Sequence, residues 1–206
     1  MLETDFITAT EKSGSPSLMI VLHGLGDSME GYRWWPDAMQ LSWLNYLLVN
    51  APDPYYGGYA WYDFQDPAHG IERSRKLLFE LLDQMAGKGF PAGKIVFSGF
   101  SQGCLMSLEI GARYPHRLAG IVGISGYAYE PEQLVKQLAP EATSQRFLVT
   151  HGTQDPLIPI TQVRSQMEIL RSAGLKIDWR EFVKGHGIAG EAEMSLIREF
   201  VRGSCA

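Results

Sequence analysis

Cysteine is scarce in this chain: Cys104 and Cys205 are the only two among 206 residues. Two thiols cannot make a disulfide framework, so a reducing compartment is expected, and we assign the cytoplasm. Long apolar runs are missing as well. The longest aliphatic stretch, residues 18–22, falls far below the ~20 residues of a membrane span, so no transmembrane segment is expected. The opening Met1-Leu2-Glu3-Thr4-Asp5 lacks the positive and apolar regions of a secretory leader. No basic block occurs. The formal net charge is −5 with both signs interspersed, which argues against nucleic acid as a partner. There is no His-Glu-x-x-His and no cysteine pairing suited to zinc, so neither a metal nor a cofactor is expected. Repeats, low-complexity tracts and linkers are absent too, and residues 1–206 read as a single domain.

What is present is a regular alternation. Hydrophobic residues make up 45% of the chain, enough for a full core. Short apolar runs at 18–22, 44–49, 94–98, 118–124, 146–150 and 176–183 predict strands, with a further edge strand at 6–9. Between them lie amphipathic stretches. Ile71, Leu77, Leu78, Leu81, Leu82 and Met85 share one helical face, as do Val163, Met167 and Leu170, and Met194, Ile197 and Val201. Strand and helix alternating in this way predict an α/β fold with a mostly parallel central sheet flanked by helices.

Gly99-Phe100-Ser101-Gln102-Gly103 matches G-x-S-x-G between a predicted strand and a predicted helix at 104–114. In a nucleophile elbow the serine occupies a sharp strand-to-helix turn, and side chains two residues either way would collide there. Out of context the pentapeptide could equally be a Gly-rich turn. A serine hydroxyl needs a base, and the hydrolase chain order is Ser, then Asp or Glu, then His. Asp155, in His151-Gly152-Thr153-Gln154-Asp155-Pro156, follows the 146–150 strand. His186, in Gly185-His186-Gly187, follows the last one. All three thus fall at carboxyl ends of strands, where open α/β sheets build their sites. Asp-Pro alone would read as a turn. His151 breaks the chain order and reads as a loop hydrogen-bonder, while His116 and His69 read as surface residues. His23-Gly24-Leu25-Gly26-Asp27 offers flexible backbone for an oxyanion hole, with donors from the amides of Leu25 and Gln102.

Together, His23-Gly24-Leu25-Gly26-Asp27, Gly99-Phe100-Ser101-Gln102-Gly103, the His-Gly-x-x-Asp-Pro of residues 151–156 and Gly185-His186-Gly187 resemble the small carboxylesterase, acyl-protein thioesterase and lysophospholipase family of α/β-hydrolases. The match runs from about residue 17 onward. The resemblance implies an α/β-hydrolase fold without a cap, a Ser101–His186–Asp155 triad, and oxyanion donors at Leu25 and Gln102. It also implies a small-molecule or lipid ester or thioester substrate, with an acylated protein as another candidate, and it allows a homodimer. Trp61-Tyr62-Asp63 resembles the family's segment at the substrate entrance, which makes Trp61 a candidate substrate contact. Two features depart from the pattern: residues 54–64 are unusually aromatic, and Cys104 stands where a small residue is more usual. The aromatic stretch reads either as a wall of the site or as a self-packed loop. Cys104 reads as a small apolar residue under the first turn of the nucleophile helix.

Other readings are weaker. Gly185-His186-Gly187-Ile188-Ala189-Gly190 is formally G-x-G-x-x-G, but no second strand and acidic residue follow as dinucleotide binding needs. A hydrolase-fold binding protein without turnover has no use for an intact Ser-Asp-His set, and a peptidase would need an added selecting domain. Residues 125–145 leave no room for a helical cap. The rate against a medium-chain ester should therefore rise smoothly through its solubility limit; a sharp jump there would reveal a surface-opened lid.

Overall fold

The computed structural model describes residues 1–11 and 14–205. In chain order its elements are β1 (Thr4–Ile7), β2 (Leu18–Leu22), α1 (Trp35–Met39), β3 (Asn45–Val49), β4 (Asp53–Tyr55), β5 (Gly58–Ala60) and α2 (Pro67–Gly87). Then come β6 (Ile95–Phe100), α3 (Gln102–Arg113), β7 (Gly120–Ile124), α4 (Pro131–Val135), β8 (Arg146–Gly152), α5 (Ile160–Ser172), β9 (Lys176–Phe182) and α6 (Glu191–Cys205).

The apolar runs form a seven-stranded sheet in the order β1-β3-β2-β6-β7-β8-β9, with β4 and β5 pairing separately as a hairpin. Only β1 runs antiparallel within the large sheet. Every residue of β2, β3 and β7 is buried, as strands covered on both faces require. Alternation divides their side chains between two cores. Leu18, Ile20, Leu22, Phe97 and Val149 pack on one face with Leu78 and Leu82 of α2, Leu105 and Leu108 of α3, and Val163 and Met167 of α5. Met19, Val21, Val96, Val122 and Leu148 pack on the other with Trp35 of α1 and Ile197 and Val201 of α6.

The parallel register decides where the chemistry sits. Leu22 lies opposite Gly99, and Phe100 lies opposite Ile124. Ile124 in turn lies opposite Thr150, and Gly152 opposite Phe182. The loops after β2, β6, β7, β8 and β9 therefore open side by side on one edge of the sheet.

The structure departs from the sequence-based expectation at the edge strand and in the aromatic segment. The edge strand lies at Thr4–Ile7 rather than 6–9, because its register is set by backbone pairing with β3 and not by an apolar run. His69 is exposed, as expected, in the first turn of α2, where the Asp66 side chain accepts from its amide as an N-cap. The aromatic segment contains the β4–β5 hairpin. Between β7 and β8 only α4 is formed, so no cap covers the sheet edge. Among the described residues no helix is long and apolar enough to cross a membrane.

The tightest point of the fold is the passage from β6 into α3. A Cβ on Gly99 would drive into the Gly103 carbonyl, and one on Gly103 would lie 2.6 Å from the Leu22 carbonyl oxygen. Gly99→Ala should therefore overpack the turn, at about 1–3 kcal/mol. Thermal unfolding should show it as a fall in Tm of roughly 2–4 °C per kcal/mol for a chain of this size. An unchanged melting curve would mean that β6 and α3 do not approach so closely.

Candidate active site

Ser101 stands between β6 and α3 with φ 53° and ψ −113°, a backbone conformation that L-residues rarely adopt. Its amide donates to the Ile124 carbonyl at 2.9 Å, and its own carbonyl accepts from Cys104 at 3.0 Å and Leu105 at 3.2 Å. These bonds hold the strained turn, which lifts the hydroxyl above the sheet edge at the N-terminus of α3.

His186, on the loop after β9, places Nε2 3.0 Å from Ser101 Oγ. Its Nδ1 lies 2.8 Å from Asp155 Oδ2. A carboxylate can only accept, so Nδ1 carries the hydrogen and Nε2 is left free to accept from the serine. Asp155, on the loop after β8, has a fully buried side chain. Its Oδ1 accepts from the amides of Leu157 at 2.9 Å and Ile158 at 3.0 Å. Burial pushes this carboxyl up, but the donors Ile158, His186 and Leu157 outweigh it and hold it below its ordinary range. The structure thus brings together Ser101, His186 and Asp155 in that hydrogen-bonded line.

The other histidines lie elsewhere. His151 sits at the end of β8, fully buried, with Nε2 donating to the Ile158 carbonyl at 2.9 Å. Burial lowers its pKa, which keeps the ring neutral. His116 and His69 are exposed. Cys104 is buried beneath Ser101 with its thiol pushed up to about 12 by burial, so it has no nucleophilic character at neutral pH.

Leu25 and Gln102 both line the cleft that holds Ser101 and His186. Among the described residues, neither the Leu25 nor the Gln102 amide is taken by a backbone carbonyl. The loop that carries Leu25 is braced from behind. His23 Nδ1 donates to the Gly24 carbonyl at 2.6 Å, and His23 Nε2 accepts from the Ala51 amide at 3.0 Å. The hairpin adds a strand-like bridge: Gly26 donates to Tyr59, and Tyr59 donates to Asp27, both at 2.9 Å. Gly58 lets the hairpin close against the Gly26 carbonyl, where a Cβ would clash.

Trp61 does not line the cleft in front of Ser101. It is fully buried, its indole donating to the His23 carbonyl at 2.9 Å and its amide donating to Gln102 Oε1 at 2.9 Å. Gln102 Nε2 donates in turn to the Tyr62 carbonyl at 3.0 Å. Trp61 therefore joins the Leu25 and Gln102 segments from behind, in place of the substrate contact expected of it. The wall itself is made by its neighbours. Tyr62 and Phe64 line the cleft with Tyr127, Leu157 and Ile158, in a volume of about 640 Å³ that also contains Ser101 and His186. Tyr62 is positioned by a 2.8 Å hydrogen bond to the Tyr127 hydroxyl. Tyr56, at the hairpin tip, is almost fully exposed.

A further support carries no sequence motif. Glu193, in the first turn of α6, accepts from Lys184 Nζ at 2.5 Å and from the Ala189 amide at 2.6 Å. The two contacts clamp the chain on either side of His186, while Ser125 Oγ donates to the Gly187 carbonyl at 3.1 Å. Both members of the ion pair are buried. Lys184 lies in the loop and Glu193 in the helix, nine residues apart, so no sequence pattern pairs them. Among the described residues no cluster of metal-ligating side chains occurs.

A sequence model of the phospholipase/carboxylesterase family matches residues 3–204. Acyl-protein thioesterase 1 of Schizosaccharomyces pombe is 32% identical over 196 residues, covering 87% of this chain and 88% of that protein. Among solved structures, esterase PE8 superposes with a TM-score of 0.84 at 26% identity, covering 98% of each chain. The Arabidopsis thaliana protein SOBER1 has the same fold, with a TM-score of 0.84 at 22% identity over 92% of this chain and 99% of that one.

The clamp under the histidine loop yields a stability test. Glu193→Gln leaves the Lys184 ammonium buried without a counter-charge, and breaking a buried pair from one side costs about 3–5 kcal/mol. Denaturant unfolding should report a loss of that order, and Lys184→Met combined with Glu193→Leu should recover much of it. A loss no greater than that of a surface substitution would show that the pair does not hold the loop.

Proposed function

The chain belongs to the phospholipase/carboxylesterase family, and we propose that it is a serine carboxylic-ester hydrolase that works through Ser101, His186, Asp155 and an acyl-enzyme. The observation that carries this reading is the line from Ser101 Oγ through His186 to Asp155, at 3.0 and 2.8 Å, on the floor of an apolar cleft. His186 Nε2 takes the serine proton as Oγ attacks the carbonyl carbon. The amides of Leu25 and Gln102 receive the oxyanion, each donor supplying ~10²–10³ in rate. The bond to the leaving atom then breaks. An alcohol takes its proton back from His186, whereas a thiolate leaves almost unaided. Water repeats the attack on the acyl-enzyme, with His186 again as base, and releases the acid. Asp155 fixes the imidazole tautomer and stabilises the imidazolium throughout.

Half of the residues lining the larger cleft are tyrosine, phenylalanine, leucine or isoleucine, which suits an acyl chain. Thioesters come second, favoured by the likeness to an acyl-protein thioesterase over most of both chains. A binding protein without turnover would have no need of the strained serine and its aligned base. The match of the family over residues 3–204 supports reading the chain as one domain.

An organophosphonate should add once per chain and map to Ser101, and Ser101→Ala should lose ester hydrolysis. His186→Ala should lower kcat by ~10³ or more, as triad removals do. His151→Ala should disturb the Asp155 loop while keeping most of the activity. Labelling at another residue, or a reversed ranking of the two histidines, would overturn the assignment.

A further inference from the structure

A second cleft opens on the far side of Phe100. Its volume is about 420 Å³, and its walls include Asp27, Tyr32, Trp34, Phe100, Ile188 and Met194. Asp27 and Phe100 also line the larger cleft, so that pair forms the wall shared by the two limbs. Among the residues lining either limb there is no Lys or Arg, and Asp27 is the one carboxylate. Arg33, close by in sequence, is paired with Asp5 and Glu30.

We propose that this second limb is the leaving-group subsite and that it favours esters whose alcohol portion is apolar and carries a positive charge. The proposal rests on the ester-hydrolase reading and names the substrate class within it. The tetrahedral carbon on Ser101 Oγ turns its oxygen toward the Leu25 and Gln102 amides. Its leaving atom must face His186 Nε2, which protonates it. Gly187 and Ile188, which follow His186 in the chain, line the second limb. So does Phe100, whose ring centre lies 5.0 Å from that of His186. A group departing beside the imidazole therefore runs across Phe100 into this limb, and the acyl chain keeps the larger one.

The walls then decide what can leave. Trp34 is 43% exposed, and its ring lies within 27° of parallel to that of Tyr32, with centres 6.4 Å apart. Aromatic faces beside a carboxylate are the recurring means of holding an organic cation. An anionic leaving group, such as one bearing a phosphate, would meet Asp27 with no cation in the lining to offset the repulsion. The cation stays on the departing alcohol throughout. The ester C–O bond breaks, His186 returns the serine proton to the alcohol oxygen, and Asp27 exchanges no proton.

Butyrylcholine and its uncharged isostere 3,3-dimethylbutyl butyrate share an acyl group and a shape, so the ratio of their kcat/KM values isolates the charge. The wild-type protein should favour the cation by about five- to tenfold at low salt. The ratio should fall toward one in Asp27→Asn and in Trp34→Ala, invert in Asp27→Lys, and fall with added sodium chloride in the wild type. Losses common to both substrates cancel in the ratio. A wild-type ratio near one, or a ratio that neither Asp27→Asn nor salt changes, overturns the subsite. If the wild type hydrolyses neither ester nor any other, the ester-hydrolase reading fails first, and the subsite falls with it.

Discussion

Everything at the reactive edge depends on holding one residue where its backbone does not want to be. A non-glycine residue at φ 53° and ψ −113° costs of the order of 1–3 kcal/mol. Ser101 stays there because its neighbours leave no alternative. Gly99 and Gly103 bring β6, α3 and the end of β2 within contact distance, closer than any side chain would permit. Cys104 must then fit under the turn. It does so because Gly123 and Gly126 face its sulfur, each so near that a Cβ would lie 2.7 Å away. The unusual cysteine and those two glycines are one packing solution.

The support extends outward in layers of decreasing strain. Behind the Leu25 loop, Trp61 donates to Gln102 Oε1 and to the His23 carbonyl while Gln102 Nε2 donates to the Tyr62 carbonyl, which ties the Leu25 and Gln102 segments together. Ser74 Oγ of α2 donates to the Trp61 carbonyl and carries the tie into the helical layer. Farther out, the buried Glu109 of α3 receives Arg75 of α2 and Arg113 of its own helix, which locks the two helices on that face. A small displacement of either helix is therefore felt at the Gln102 and Leu25 segments beside Ser101. Positioning at this precision is worth far more to catalysis than the modest stability of any one contact.

How much of this could be read in the sequence follows from which signals are local. Strands buried on both faces appear as apolar runs, and catalytic residues of open α/β sheets follow strand ends. The sheet and the placement of Ser101, Asp155 and His186 were thus within reach. The antiparallel edge strand was displaced because Thr4 to Ile7 alternate in burial and depend on β3 for register. The aromatic segment resisted for a different reason. Composition does not say which ring faces inward, and Trp61 turned out to be scaffold while Tyr62 and Phe64 form the wall. Glu193 and Lys184 were invisible because two charges nine residues apart have no reason to meet until the histidine loop folds over the helix.

The electrostatics of Asp155 complete the arrangement, since two histidines lie within its reach. His151 Nε2 is 3.6 Å from the same oxygen that His186 uses at 2.8 Å. A second imidazolium there would compete with His186 for the Asp155 charge. Three features prevent it: His151 Nε2 is spent on the Ile158 carbonyl, the ring stacks on Trp179, and burial disfavours its protonated form. The same loop supplies the Leu157 and Ile158 amides that hold the Asp155 carboxyl below its ordinary range. The stability from that depressed pKa is present above the ordinary carboxyl range and is lost as pH falls through the lowered value. At neutral pH, therefore, a buried carboxylate is maintained by backbone donors while one imidazole alone is aligned between it and the serine. The short turn from Asp155 to Ile158 both supplies the charge and prevents His151 from sharing it.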